Sequence, residues 1–344
     1  MSVPETIQAI GIQKTGGLDV VEKLAIPAPK QAADQILIKV AYAGVNTVDT
    51  YYRAGLYPIT SFPFVLGSEI SGTIVALPTD ESVLNHPIYK ARGFKVGGRV
   101  AALKVGIHAE YISPPWGLVF PVPDSVGLDV AAGALLQGIT AISQMTESYE
   151  VKKGDIILVH TVAGGLGLLF TAYAKHRGAT VIGTTSTPEK AEIAKSYGAD
   201  HVILYTKENT VQRVLEITNG EGVHAVYDGV GKDTFFNNFD IVRRKGTLIS
   251  VGNASGPVDP ISPLKLAPKN LKLVRPSMFN YMVTPEETEY YSKELFKLLG
   301  DGVFKIRIPL TYPFSTEGAR EAQKELTTRG GKLAGKILIK IADE

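Results

Sequence analysis

The sequence predicts an α/β fold in two parts, a compact, mostly β domain and a doubly wound parallel sheet of six strands. Three observations carry this. The chain has 344 residues, two domains' worth at roughly 100–200 residues each. Residues 7–130 are rich in Gly, Pro and Val and break into short β-like runs divided by turn residues. From about residue 135 apolar, β-branched runs alternate with helical segments, the rhythm of a parallel sheet with crossover helices.

In the first region the runs are Ile36–Val40, Gly72–Val75, Arg99–Leu103 and Ala109–Ile112. The stretch Thr79–Lys95 is polar and without period, and reads as a surface loop. In the second region the strands are Ile156–His160, Thr180–Thr184, His201–Leu204, Val223–Asp228, Thr247–Val251 and Leu271–Val274. Six such strands make the Rossmann pattern. Helices open near Gly165, Pro188, Asn209, Asp233 and Pro263, several behind a capping residue or with Pro in the first turn. Helices Pro285–Leu299 and Thr316–Thr327 and a last strand, Lys336–Ile341, return the chain to the first domain. The expected division is therefore 1–138 with 279–344 for the mostly β domain, and 139–278 for the inserted Rossmann domain.

Composition narrows the chemistry. A formal net charge of +2 with 20% charged residues is ordinary for a globular chain and names no polyanionic partner. No run approaches the length of a membrane span, and the amino terminus lacks a basic segment followed by an apolar one; the expected address is the cytoplasm, with a nuclear fraction possible. The chain has no cysteine, which removes disulfides, thiolate metal sites and thiol nucleophiles together.

The strand ending at His160 runs into Thr161-Val162-Ala163-Gly164-Gly165-Leu166-Gly167 and then an apolar helical segment. Strand, glycine turn and helix are the context a dinucleotide site requires. Gly164 and Gly165 let backbone approach a pyrophosphate at the positive helix end, and Gly167 lets the helix pack closely on the strand. Val162 stands where the first glycine usually does. The bland alternative is a glycine turn that merely packs a helix on a sheet.

An acid at the end of the second strand would hold a ribose 2′-hydroxyl. Here that end reads Gly183-Thr184-Thr185-Ser186-Thr187, with no acid. Lys190 follows in the next helix and Tyr205 closes the third strand; with Ser186 and Thr185 they suit a 2′-phosphate, so the expected cofactor is NADPH. Further strand ends, Gly229-Val230 and Val251-Gly252-Asn253 with Ser255, face the same crevice and leave room for the nicotinamide and its ribose.

Five ordered segments resemble one family: Gly55-Leu56-Tyr57-Pro58; Pro63-Phe64-Val65-Leu66-Gly67-Ser68-Glu69; Ala163–Gly167; Tyr227–Thr234; and Gly252–Gly256. They resemble the zinc-free NADPH:quinone oxidoreductases of the medium-chain dehydrogenase/reductase superfamily, of the ζ-crystallin and yeast type, over nearly the whole chain. The resemblance implies a GroES-like catalytic domain built from both chain ends, an inserted Rossmann domain, and a homodimer paired through the edge strand 271–274. Zinc alcohol dehydrogenases of the same superfamily carry a ligand histidine in Gly-His-Glu, where this chain has Gly67-Ser68-Glu69. With no cysteine, and with His86, His108, His160, His176, His201 and His224 scattered without ligand spacing, no metal site is expected.

The activity implied is reduction of quinones by NADPH in a dry crevice between the domains, where positioning does most of the work. Reduction of 2-alkenals or other enones is the alternative among enzymes. A second alternative, also from the resemblance, is NADPH-sensitive binding of AU-rich RNA. By resemblance Asn46 and Tyr51 contact the nicotinamide end and the acceptor oxygen, with Tyr57 at the substrate mouth. A tyrosine hydroxyl can donate a proton to a developing oxyanion, the alternative being a packing role. Thr140 and Lys336 match further cofactor contacts of the family. Arg275 either faces the crevice or braces the dimer.

Overall fold

The computed structural model describes residues 3–328 and 331–343. The chain divides into two compact units, one comprising Met1–Leu136, Met282–Asp301 and Ile306–Glu344, the other Gln137–Tyr281 and Gly302–Lys305.

The second unit is built on an all-parallel sheet whose strand order is His201–Leu204, Thr180–Thr185, Ile156–Val159, Val223–Asp228, Val242–Ser250, Lys272–Val274. Chain order reverses on either side of Ile156–Val159, so the crevice at the carboxyl ends of that strand and Val223–Asp228 is the switch point where such sheets bind ligands. Both faces are covered, which explains the continuous apolar runs: Leu158, Ile182, Val226 and Leu248 are fully buried. The helices Gly165–His176, Pro188–Ser196 and Thr210–Ile217 begin where their sequence signals place them, the last two capped by Thr187 and Asn209.

Two expected helices differ. The one expected to open at Asp233 covers only Asn238–Ile241, because the preceding turn is committed to the Asp228 carboxylate, which accepts from Val230, Gly231 and Thr234. The one at Pro263 is a 3-10 segment, Pro263–Lys269, with Pro268 inside it; a proline without an N–H cannot extend an α-helix.

The first unit holds a mixed seven-stranded sheet, with order Leu310–Pro313, Ile337–Lys340, Leu37–Val45, Glu69–Ala76, Arg99–Leu103, Val119–Pro121 and with Tyr111–Ile112 against Leu37–Val45. A three-stranded sheet of Val21–Pro27, Thr6–Ile12 and Phe64–Val65 accompanies it. The two share a core in which Ile12, Ile38, Ile70 and Ile337 are fully buried.

The stretch expected as a loop, Thr79–Lys95, instead contains helices Glu81–Leu84 and Pro87–Arg92. Each is too short to show a period, and their signals are local: Asp80 caps the first, Pro87 opens the second, and Gly93 closes it at φ +63°. The Arg92 guanidinium then anchors the segment on the carbonyls of Trp116, Gly117 and Val119. Tyr51 sits on helix Thr47–Ala54, which Gly55 closes at φ +77°. Among the described residues no helix is long and apolar enough to cross a membrane.

Candidate active site

In the second unit, Gly164 is the N-cap of helix Gly165–His176 and offers it no side-chain acceptor, leaving first-turn N–H groups for an anion. Gly164, Gly165 and Leu166 are partly exposed, whereas Gly167 is buried. A Cβ on Gly167 would lie 2.4 Å from the Thr161 carbonyl oxygen and 2.8 Å from that of Val162; only glycine lets the helix start this close to the turn. Val162 is fully buried, and its space comes from Gly183 on the adjacent strand. Thr161 takes a left-handed backbone, φ +55°, uncommon outside glycine.

At the end of the second strand Thr185 is buried and Ser186 half-buried. Pairing of Thr185 with Leu204 carries Tyr205, 52% exposed, alongside this end, and the Thr206 hydroxyl donates to the Ser186 carbonyl at 2.9 Å. Lys190 is half-buried in the first turn of its helix. Burial holds its ammonium below the usual lysine range, and among the described residues no carboxylate pairs with it. A dianion arriving here would relieve that desolvation.

The turns after the fourth and fifth strands interlock. Ala254 and Ser255 donate their N–H groups to the carbonyls of Gly229 and Val230, and the Ser255 hydroxyl donates to Val230 as well. Val251 and Gly252 both donate to the Asp228 carbonyl. A Cβ on Gly252 would meet the Gly229 oxygen at 2.8 Å. The Arg275 guanidinium donates to the Ser250 carbonyl at 2.8 Å and its hydroxyl at 3.2 Å. With its amide oxygen turned toward Arg275, Asn253 accepts from Nη2 at 3.0 Å. Arg275 therefore braces the very turn that carries Gly252 and Asn253. Thr140, 6% exposed, lies in helix Leu128–Ser143.

In the first unit a buried polar cluster surrounds Asn46, the residue that opens helix Thr47–Ala54. Its Nδ2 donates to Glu69 Oε1 at 2.8 Å and to the Gly44 carbonyl at 3.2 Å, and its Oδ1 accepts from Lys336 Nζ at 2.6 Å. Lys336 also pairs with Glu69, and both side chains are buried. The second Glu69 oxygen accepts from the Leu136 N–H at 2.7 Å. Asp49 Oδ2 accepts from the Asn46 N–H at 2.8 Å, and burial, opposed by that bond and by Lys336, raises its carboxyl to about 7. His108 Nε2 lies 3.1 Å from the Gly44 carbonyl, and burial lowers the imidazole to about 4. Tyr51 and Tyr57 are half-buried, their rings edge to face at 5.4 Å.

The sequence reading singled out Asn46 and Lys336, which the fold brings into direct contact across 290 residues, but missed Asp49, Glu69 and His108 as a cluster. Glu69 stood in the glycine-flanked segment Gly67-Ser68-Glu69, and a charged residue inside an apolar strand pattern was the available signal. A catalytic zinc does not fit these residues. The chain supplies no thiolate, Ser68 replaces the ligand histidine, and His108 is turned onto a carbonyl.

A mixed-sheet unit and a doubly wound unit with a glycine turn at its switch point define a medium-chain dehydrogenase/reductase. The zinc-binding dehydrogenase family model matches residues 165–297, and that of the alcohol dehydrogenase GroES-like domain matches residues 32–124. The chain is 38% identical over 332 residues to a probable quinone oxidoreductase of Schizosaccharomyces pombe, covering 96% of each. It superimposes on a mycobacterial protein solved with NADPH at TM-score 0.90, with 39% identity, covering 97% of this chain and all of that one. On the NADPH complex of Escherichia coli quinone oxidoreductase the TM-score is 0.89, with 32% identity and 97% and 100% coverage. The chain belongs to the quinone oxidoreductase family.

Proposed function

We propose that this enzyme is an NADPH-dependent quinone oxidoreductase whose cofactor is held by Gly164, Gly165, Leu166 and Gly167 at the pyrophosphate and by Thr185, Ser186, Lys190 and Tyr205 at the 2′-phosphate. The observation that carries this is the pairing of an uncapped helix start on a glycine cradle with a second-strand end that lacks an acid and holds a half-buried, carboxylate-free Lys190. Solved relatives bound to NADPH support the same cofactor.

NADPH supplies the reducing equivalents when bound; the chain's own residues bind, orient and shield. Gly229, Val230, Val251, Gly252, Asn253 and Ser255 form the small-residue floor for the nicotinamide ribose, its shape fixed by the Ser255–Val230 bonds and the Arg275 brace. Thr140, Asn46 and Lys336 complete the cofactor contacts. Glu69 orients Asn46 and Lys336 by accepting from both. Tyr51 presents its hydroxyl to the acceptor oxygen and supplies the proton that neutralises it, and Tyr57 lines the mouth against a flat, electron-poor ring. Among the described residues, strand Lys272–Val274 pairs on one side only, with Val242–Ser250, and that open edge supports a homodimer paired through it.

The test is NADPH oxidation by the purified chain with 1,2- and 1,4-quinones and with 2-alkenals, using NADH as control. Quinone-dependent turnover with NADPH well above NADH is expected. Turnover confined to alkenals, or equal with both nucleotides, contradicts the reading.

A further inference from the structure

Beneath the glycine turn lies a row of buried polar side chains that no cofactor contact requires. Thr184, His160, Asn238 and Asp228 are 2%, 5%, 1% and 0% exposed. His160 Nδ1 lies 3.0 Å from the Thr184 hydroxyl and Nε2 lies 2.9 Å from Asn238 Oδ1. Asn238 Nδ2 donates to Asp228 Oδ2 at 2.8 Å. This last bond orients the row: the Asn238 oxygen must face His160, so Nε2 carries a proton and donates to it.

Thr184, His160 and Asp228 also hold residues of the turns that the cofactor reading uses. The Thr184 carbonyl accepts from the Val162 N–H at 3.1 Å, and the His160 carbonyl accepts from the Thr161 hydroxyl at 2.6 Å. The other Asp228 oxygen accepts from the N–H groups of Val230 and Gly231 at 2.8 and 3.1 Å. Three strand ends are thereby tied through one imidazole: the one leading to Thr185 and Ser186, the one leading to the glycine turn, and the one leading to Gly229 and Val230. The Thr161 backbone is left-handed, and such a conformation persists only when its surroundings hold it.

We propose that His160, donating through Nε2–H, and Asn238 are positioning residues for NADPH, keeping the 2′-phosphate end and the nicotinamide-ribose end of the site in register. The inference rests on the cofactor reading above. Breaking the row frees the three turns separately, so the cost appears in nucleotide affinity more than in the rate once the site is filled.

The experiment measures NADPH dissociation constants by fluorescence titration of the full chain for His160→Gln, His160→Phe, Thr184→Val, Asn238→Leu and Lys190→Ala. Melting temperatures are taken without nucleotide, and kcat at saturating NADPH. Gln keeps an N–H donor near the Nε2 position but loses the Thr184 bond, so His160→Gln is expected to weaken binding less than His160→Phe does. Loss of one or two buried hydrogen bonds should weaken binding by about tenfold in His160→Phe, Thr184→Val and Asn238→Leu, with kcat changed less. Thr184→Val is nearly isosteric and answers the question even where a larger change prevents folding. If Gln and Phe at 160 weaken binding alike, or Thr184→Val binds as the parent while Lys190→Ala does not, the positioning role is refuted and the cofactor site stands. If the parent binds no NADPH, both fall.

Discussion

Val162 in the glycine turn and Gly183 on the neighbouring strand are a matched pair: a Cβ on Gly183 would lie 2.6 Å from three carbons of the Val162 side chain. The glycine usual at the start of the dinucleotide turn has thus been exchanged for a valine whose volume is taken from the next strand. The turn keeps its close approach at Gly167, where no side chain fits.

Gly183→Ala is accordingly expected to destabilise the protein by about 1–3 kcal/mol through overpacking. Adding Val162→Ala should restore most of the loss. Urea denaturation of the single and double variants checks this; an undisturbed midpoint in Gly183→Ala would contradict the pairing.

The Lys336–Glu69 pair is buried on both sides. Lys336→Met leaves the Glu69 carboxylate uncompensated, so a loss of about 3–5 kcal/mol is expected. Removing both charges in Lys336→Met with Glu69→Gln should recover much of it. A single variant within about 0.5 kcal/mol of the parent would show that the pair is dispensable.

Asp49 and His108 make opposite contributions to pH dependence. Burial raises Asp49 from 3.8 to about 7, so the folded state holds the proton more tightly, and this contribution is full below the unfolded value and lost as pH rises from about 4 to about 7. Burial lowers His108 from 6.5 to about 4, so its contribution is full above the unfolded value and lost as pH falls through that window. The two slopes offset each other in the parent. Asp49→Asn removes one of them, and stability should then rise with pH across the window by up to about 1.4 kcal/mol per unit, the one-proton limit. Denaturation midpoints across this range check it, and an unaltered profile would contradict the assigned protonation.

Tyr51→Phe tests the proton donor. The ring should keep its edge contact with Tyr57, so NADPH affinity should stand while kcat for quinones falls by about tenfold or more. An unchanged kcat would retire the acid role.

Much of the Rossmann unit was legible because its strands are buried on both faces and so appear as uninterrupted apolar runs, such as Ile156–Val159 and Val223–Asp228. Helix Thr47–Ala54 was not legible: its buried face is Asp49, Thr50 and Arg53, all polar, so no apolar stripe announces it. Glu81–Leu84 and Pro87–Arg92 are too short for a period. At the site, the glycines and Lys190 could be read from local spacing. The His160–Asn238–Asp228 row could not, because its bonds span up to 78 residues and depend on strand order.

The most direct measurement of the whole account is the affinity of the parent and of Lys190→Ala for NADPH and for NADH, by calorimetry at one fixed ionic strength. The parent should bind NADPH more tightly than NADH, and Lys190→Ala should lose about tenfold or more for NADPH while its NADH affinity barely moves. Equal losses for both nucleotides, or no preference in the parent, would contradict a 2′-phosphate held at the end of the second strand.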